Sequence, residues 1–108
     1  MTRLLLLLVA SACASTARAE PHACAADARE QARKLIAFHT ESDKNVGVDE
    51  EVVELPSIAN PAARKQRFDV LELHGYLYKA NYRIRLLYAQ VPGHCVLMGQ
   101  EILEHARL

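Results

Sequence analysis

The sequence predicts an α+β fold: one N-terminal helix packed on a four-stranded antiparallel meander, as a single small domain. Three observations carry this. Small and apolar residues recur at helical spacing between Ala23 and Thr40. From Phe68 onward the text "FDVLELHGYLYKANYRIRLLYAQVPGHCVLMGQEIL" is dominated by tyrosine and aliphatic residues, with alternation visible in "YRIRLLY". Two short turns, Lys79-Ala80-Asn81 and Pro92-Gly93, interrupt that text, and short connections make neighbouring strands antiparallel.

The chain opens "MTRLLLLLVASACASTARAEP". Arg3, then a leucine-rich run, then small residues ending in Ala17-Arg18-Ala19 is the order of a cleaved secretory signal. The apolar run falls far short of the roughly 20 residues needed to span a bilayer, so no transmembrane span is expected. Residues 1–19 are therefore assigned to the signal and 20–108 to the domain. The alternative is a lipid anchor on Cys13, which "VASAC" loosely fits. With the signal cleaved the chain is expected to be periplasmic or secreted, and with the lipid it is expected to be tethered instead.

Loss of Arg3 and Arg18 leaves 11 basic residues of the original 13 against 13 acidic ones, a net charge of about −2 with histidines neutral. That balance argues against a nucleic-acid binder on bulk charge. Two cysteines remain, and an oxidising compartment allows one pairing, Cys24 with Cys95. His94 beside Cys95 suggests a nucleophile at first sight. Adjacent residues of an extended strand point to opposite faces, however, and no Cys-x-x-Cys accompanies the pair.

Taken in order, "ACAADAREQARKLIAFHT" places Cys24, Ala28, Ala32, Leu35, Ile36 and His39 on one stripe, with Phe38 and His39 packing near the helix end. "TESDKNVGVDE" reads as a polar loop. "EEVVELPSI" offers a short strand near Glu51–Leu55, stopped by Pro56. "PSIANPAARKQR" reads as a long connection carrying Arg64, Lys65 and Arg67. Strands are expected near 68–78, 82–90 and 95–103.

A two-residue loop at Ala80-Asn81 sets Leu73, Gly75 and Leu77 opposite Tyr88, Leu86 and Ile84. The other face then carries Glu72, His74, Tyr76, Tyr78, Arg83 and Arg85. A one-residue slip would put Arg83 and Arg85 among the leucines, at the cost of burying two cations. Helix-then-meander is an arrangement similar to several small secreted folds, the cystatin-like one among them. The chain has no Gln-x-Val-x-Gly hairpin, so the likeness implies shape and no activity.

The chemistry-bearing residues form no catalytic or metal-binding pattern. The five histidines, His22, His39, His74, His94 and His105, show no ligand spacing. Cleavage after Ala19 would leave His22 third from the amino terminus, but Pro21 has no amide proton to give up to copper or nickel. No cofactor or metal is expected. Asp49, Glu50, Glu51 and Glu54 read as a solvated strand margin. The expected binding surface combines Arg64, Lys65, Arg67, Tyr76, Tyr78, Arg83 and Arg85, because planar donors match anions and rings give contact area. The expected function is a small exported, non-catalytic domain binding a protein or an anionic cell-envelope component. The alternatives are an enzyme or small-molecule carrier with a pocket between helix and sheet near His39 or His74, and a subunit that self-associates through a sheet edge.

Overall fold

The structure, a computed structural model, describes residues 9–10, 21–42 and 45–106. Nearly all of the expected leader, with Cys13, lies outside the described residues. The rest forms one helix on a five-stranded antiparallel sheet. Among the described residues no helix is long and apolar enough to cross a membrane.

Helix α1 runs Ala25–Thr40. Its first turn is tied down by backbone bonds from Ala25 N–H to the His22 carbonyl and from Ala28 N–H to that of Cys24. It ends where Glu41 turns left-handed and the Ser42 N–H bonds back to the Ala37 carbonyl. Ala25, Ala28, Ala32, Leu35 and Ile36 make the buried stripe. His39 and Phe38 depart from the expectation. His39 is exposed, with its ring edge-on to that of Tyr82, and Phe38 is 84% exposed. Phe38 follows Ile36 by two residues, about 200° around the helix, which turns it to solvent.

The strands are β1 (Val46–Val48), β2 (Val53–Asn60), β3 (Ala63–Leu77), β4 (Ala80–Ala89) and β5 (Val96–His105). Their spatial order is β1-β3-β4-β5, and β2 also pairs β3. β1 meets β3 at Gly75–Leu77 and β2 meets it from Ala63 to Glu72, so the two lie end to end along one edge. Four columns of strands therefore contain five strands. The additional one, β1, falls in the segment expected to be loop. Val46 and Val48 pack against the core there, and this holds the chain beside β3.

Pro56 does not stop β2. It lies on a sheet edge, where its missing N–H deprives no neighbour, and the register shift between Leu55 and Ile58 absorbs it. The expected long connection is consequently a hairpin closed at Pro61-Ala62, with Asn60 opposite Ala63 and the Asn60 Oδ1 accepting the Ala62 N–H. Arg64, Lys65 and Arg67 belong to β3.

The β3–β4 turn is Tyr78-Lys79, with Leu77 opposite Ala80; Tyr78 takes φ 55° and is 90% exposed. Leu73 thus faces Ile84 and Gly75 faces Tyr82, a register four residues from the expected one. Because four is even, every side chain keeps its expected face. The β4–β5 turn, Val91-Pro92-Gly93-His94, matches expectation. Gly93 has φ 76° and the His94 N–H bonds to the Val91 carbonyl, as a type II turn requires.

The core joins Ala28, Ala32 and Ile36 to Leu71, Leu73, Tyr82, Ile84, Leu86 and Tyr88. Two alanines at the contact bring the helix close to the sheet. Tyr88 reaches across to donate its hydroxyl to Asp27 at 2.7 Å, in the helix's first turn. Burial and that bond together push the Tyr88 phenol far above its usual range. Gly75 lies where a Cβ would collide with Ile36 Cδ1 and crowd the Gly47 carbonyl. A second apolar patch lies on the opposite face. Phe68 and Val70 are 8% and 5% exposed there, beside cross-strand partners Ile58, Leu55, Ala89 and Leu87.

The Cys24–Cys95 disulfide forms, with Cα atoms 5.6 Å apart. It joins the residue before α1 to the residue before β5 across a separation of 71. Replacing both cysteines with alanine should lower the unfolding free energy by about 2–5 kcal/mol in urea titrations. An unchanged midpoint would show that hydrogen bonds and packing alone hold the helix end. Gly75→Ala should cost about 1–3 kcal/mol through overpacking under Ile36, and a neutral result would refute that contact.

Candidate functional site

The expected binding residues do not converge on one site. Arg64 and Tyr78 are separated by about 14 residues, roughly 45 Å along an extended path. The set falls into three places: Arg64, Lys65 and Arg67 at the hairpin end, Tyr76, Arg83 and Arg85 on the sheet face away from the helix, and Tyr78 in the far turn.

The middle group is internally compensated. Arg85 Nε donates to Glu72 at 2.7 Å, directly across the strands. Arg83 Nη2 donates to Glu101 at 2.8 Å, and Tyr76 donates its hydroxyl to Asp49 at 3.3 Å. These arginines spend their charge within the sheet, as cross-strand pairs do. His74 lies on the same face with its ring centroid 6.0 Å from that of His105.

The hairpin group is different. Among the described residues Arg64, Lys65 and Arg67 have no carboxylate partner. The Arg67 guanidinium is oriented by Ser57, donating from Nε to the hydroxyl at 2.8 Å and from Nη2 to the carbonyl at 2.7 Å. Lys65, Gln66, Arg67 and Phe68 form one wall of a concavity of about 350 Å³, and Ala89, Gln90 and Val91 form the other.

On the far side of Gln90-Val91 lies a larger cavity of about 490 Å³, lined by the disulfide, His22, Asp69 and the Pro92-Gly93 turn. Here the structure assembles residues that no sequence motif joins. His22 Nδ1 accepts the Cys24 N–H at 3.0 Å, while its Nε2 meets Asp69 Oδ2 at 2.8 Å. Because Nδ1 must be bare to accept, the proton sits on Nε2 and points at Asp69. Asp69 Oδ1 accepts from Gln90 Nε2 at 2.8 Å. The Gln90 bond, and after it the His22 bond, hold the Asp69 carboxyl below the usual carboxylate range. One sequence signal marked the position. Asp69 shares its row with Leu71 and Leu73, where an acid needs partners to be tolerated.

Both ring nitrogens of His22 are committed, so the ring has no free lone pair to act as a general base. The same bonds bear on metal binding. Ligand atoms of His22, Glu54 and Asp69 lie within 4.8 Å of one another. A metal on Nε2 would drive the proton to Nδ1, where the Cys24 N–H already points. The group is built as a hydrogen-bonded clamp between the helix start, β3 and the β4–β5 turn. His39 and His74 line neither cavity. The space between helix and sheet is filled by Ala28, Ala32, Ile36, Leu71 and Ile84.

No family model matches the chain, and neither a curated protein nor a solved structure matches it.

The clamp makes stability depend on acid in a defined direction. A carboxyl held below its unfolded value contributes stability above about pH 4 and loses it as pH falls through the folded value. Gln90→Ala should therefore unfold about 0.5–1.5 kcal/mol more easily than the parent at pH 6, with the gap narrowing by pH 2. Urea titrations at the two pH values measure this. A gap independent of pH would mean that the Gln90 bond does not stabilise the ionised form.

Proposed function

We propose that this chain is an exported, disulfide-stapled binding domain without catalytic chemistry, and that it holds an acidic segment of a partner protein at the end of the β2–β3 hairpin. The observation that carries the reading is the concavity between Lys65–Phe68 and Ala89–Val91. Its cations are uncompensated among the described residues, whereas Arg83 and Arg85 are already paired. Arg67 is pre-oriented by Ser57, which lowers the ordering cost of an incoming carboxylate. A planar guanidinium beside a flexible ammonium suits a carboxylate-bearing chain. Export through residues 1–19 to the periplasm or outside the cell agrees with a disulfide that joins distant parts of the chain.

Crosslinking in the producing cell, followed by mass spectrometry, tests the site and the route together. Lys65→Glu with Arg67→Glu should reduce captured acidic partners by about tenfold or more, because like-charge juxtaposition costs several kcal/mol. Tyr78→Ala, in the remote turn, should leave capture unchanged, and capture by the parent should weaken with added salt. An identical partner set for the double variant would rule out this concavity. Capture of an anionic polymer rather than protein would redirect the reading to an envelope component. The intact mass of the same material distinguishes cleavage after Ala19 from lipid attachment at Cys13.

A further inference from the structure

The two outer edges of the sheet are built differently. Along one edge β1 contributes only Val46–Val48, the chain leaves the sheet between Val48 and Val53, and β2 carries Pro56 and two register irregularities. These are the devices by which proteins keep an edge from templating another strand. The other edge is β5, Val96–His105, "VLMGQEILEH". It contains no proline, lysine or arginine. After one irregularity opposite Leu87 and Tyr88, its register with β4 is unbroken from Gly99 to His105. Among the described residues nothing pairs with its outer side. Such a run presents over about 20 Å of unpaired backbone donors and acceptors. Met98 and Leu103 along it are 53% and 46% exposed.

Charge decides what that edge accepts. The ionisable residues of β5 are Glu101, Glu104 and His105. Glu101 is shared with Arg83 but remains half exposed, and Glu104 is exposed with no cation beside it among the described residues. A second copy of β5 would bring the same two glutamates to the seam and no lysine or arginine to answer them. Glu101 and Glu104 are three residues apart and project from opposite faces of the sheet, so a strand carrying lysine or arginine at positions three apart answers both, and its apolar residues meet Met98 and Leu103.

We propose that β5 is a docking edge for an extended basic segment of a partner protein, which joins the sheet as a further antiparallel or parallel strand. Main-chain hydrogen bonds supply the affinity and the glutamates the selectivity. The surface is separate from the hairpin concavity, since β5 borders β4 at the opposite edge from β2.

The probe is a fluorescein-labelled, valine-rich peptide with lysines three residues apart, titrated into the oxidised, isotopically labelled full domain. Binding should move amide resonances from Gly99 to His105 and slow exchange of the outward-facing amides there. Glu104→Lys should weaken binding about tenfold, a change of about 1.4 kcal/mol. The same peptide with a central proline, or with glutamate in place of lysine, should not bind. Equal binding of the proline peptide would overturn strand addition and leave only charge attraction. Shifts away from β5, or no binding at millimolar peptide, would overturn the proposal. Concentration-dependent dimerisation with shifts at Gly99–His105 in the absence of peptide would replace the basic segment with a second copy.

Discussion

A helix of sixteen residues resting on one face of a small sheet has few ways to hold its position, and here its N-terminal end is held by a covalent bond. Cys24 precedes the first helical turn and Cys95 precedes the last strand. The bond therefore ties the start of the domain to its end, and everything between is a closed loop. In the chain-entropy view a loop of this length removes roughly 4 kcal/mol of denatured-state freedom. For a small domain that is a large share of the net stability. The His22–Asp69–Gln90 hydrogen bonds surround the same junction and attach it to β3 and to the β4–β5 turn. Covalent and polar ties thus act at one corner, and alanine packing acts along the rest of the helix.

That corner also shapes the surface. It creates the larger cavity and, across Gln90-Val91, one wall of the cationic concavity. Walls beside a cross-linked turn move little, which would lower the reorganisation cost of the binding proposed there. The histidine there looks catalytic by composition and is structural by geometry, because each of its nitrogens already has a partner. Proximity of His and Asp is insufficient for acid–base chemistry. A lone pair or proton must be free to meet a substrate.

The two sheet faces divide the labour of the remaining polar residues. Away from the helix, Glu72, Arg85, Arg83 and Glu101 form cross-strand pairs that let a solvent-facing sheet carry charge without strong net potential. Beyond them, Phe68 and Val70 are shielded by neighbours on β2 and β4. This lesser apolar patch gives the hairpin end a rigid base, so its cations project from an ordered arm. Extended structure there lines Lys65 and Arg67 along one wall, which a floppy connection would not do.

Much of this was legible in the amino-acid order, and the limit is physical. Helical spacing of Ala28, Ala32 and Ile36, alternation in β4, the Pro92-Gly93 turn and the pairing of two cysteines are local or forced, so the amino-acid order alone states them. Face assignment survived even a four-residue register error, since burial of leucines and exposure of arginines depend only on parity. What tertiary structure decided was non-local. Whether Pro56 stops a strand depends on whether that strand is an edge, which no stretch of sequence states. Whether an arginine is available depends on which acid the next strand brings opposite it, and this separated Lys65 and Arg67 from Arg83 and Arg85. The clamp of His22, Asp69 and Gln90 joins residues as far as 68 positions apart, and only the folded chain brings them within hydrogen-bond reach.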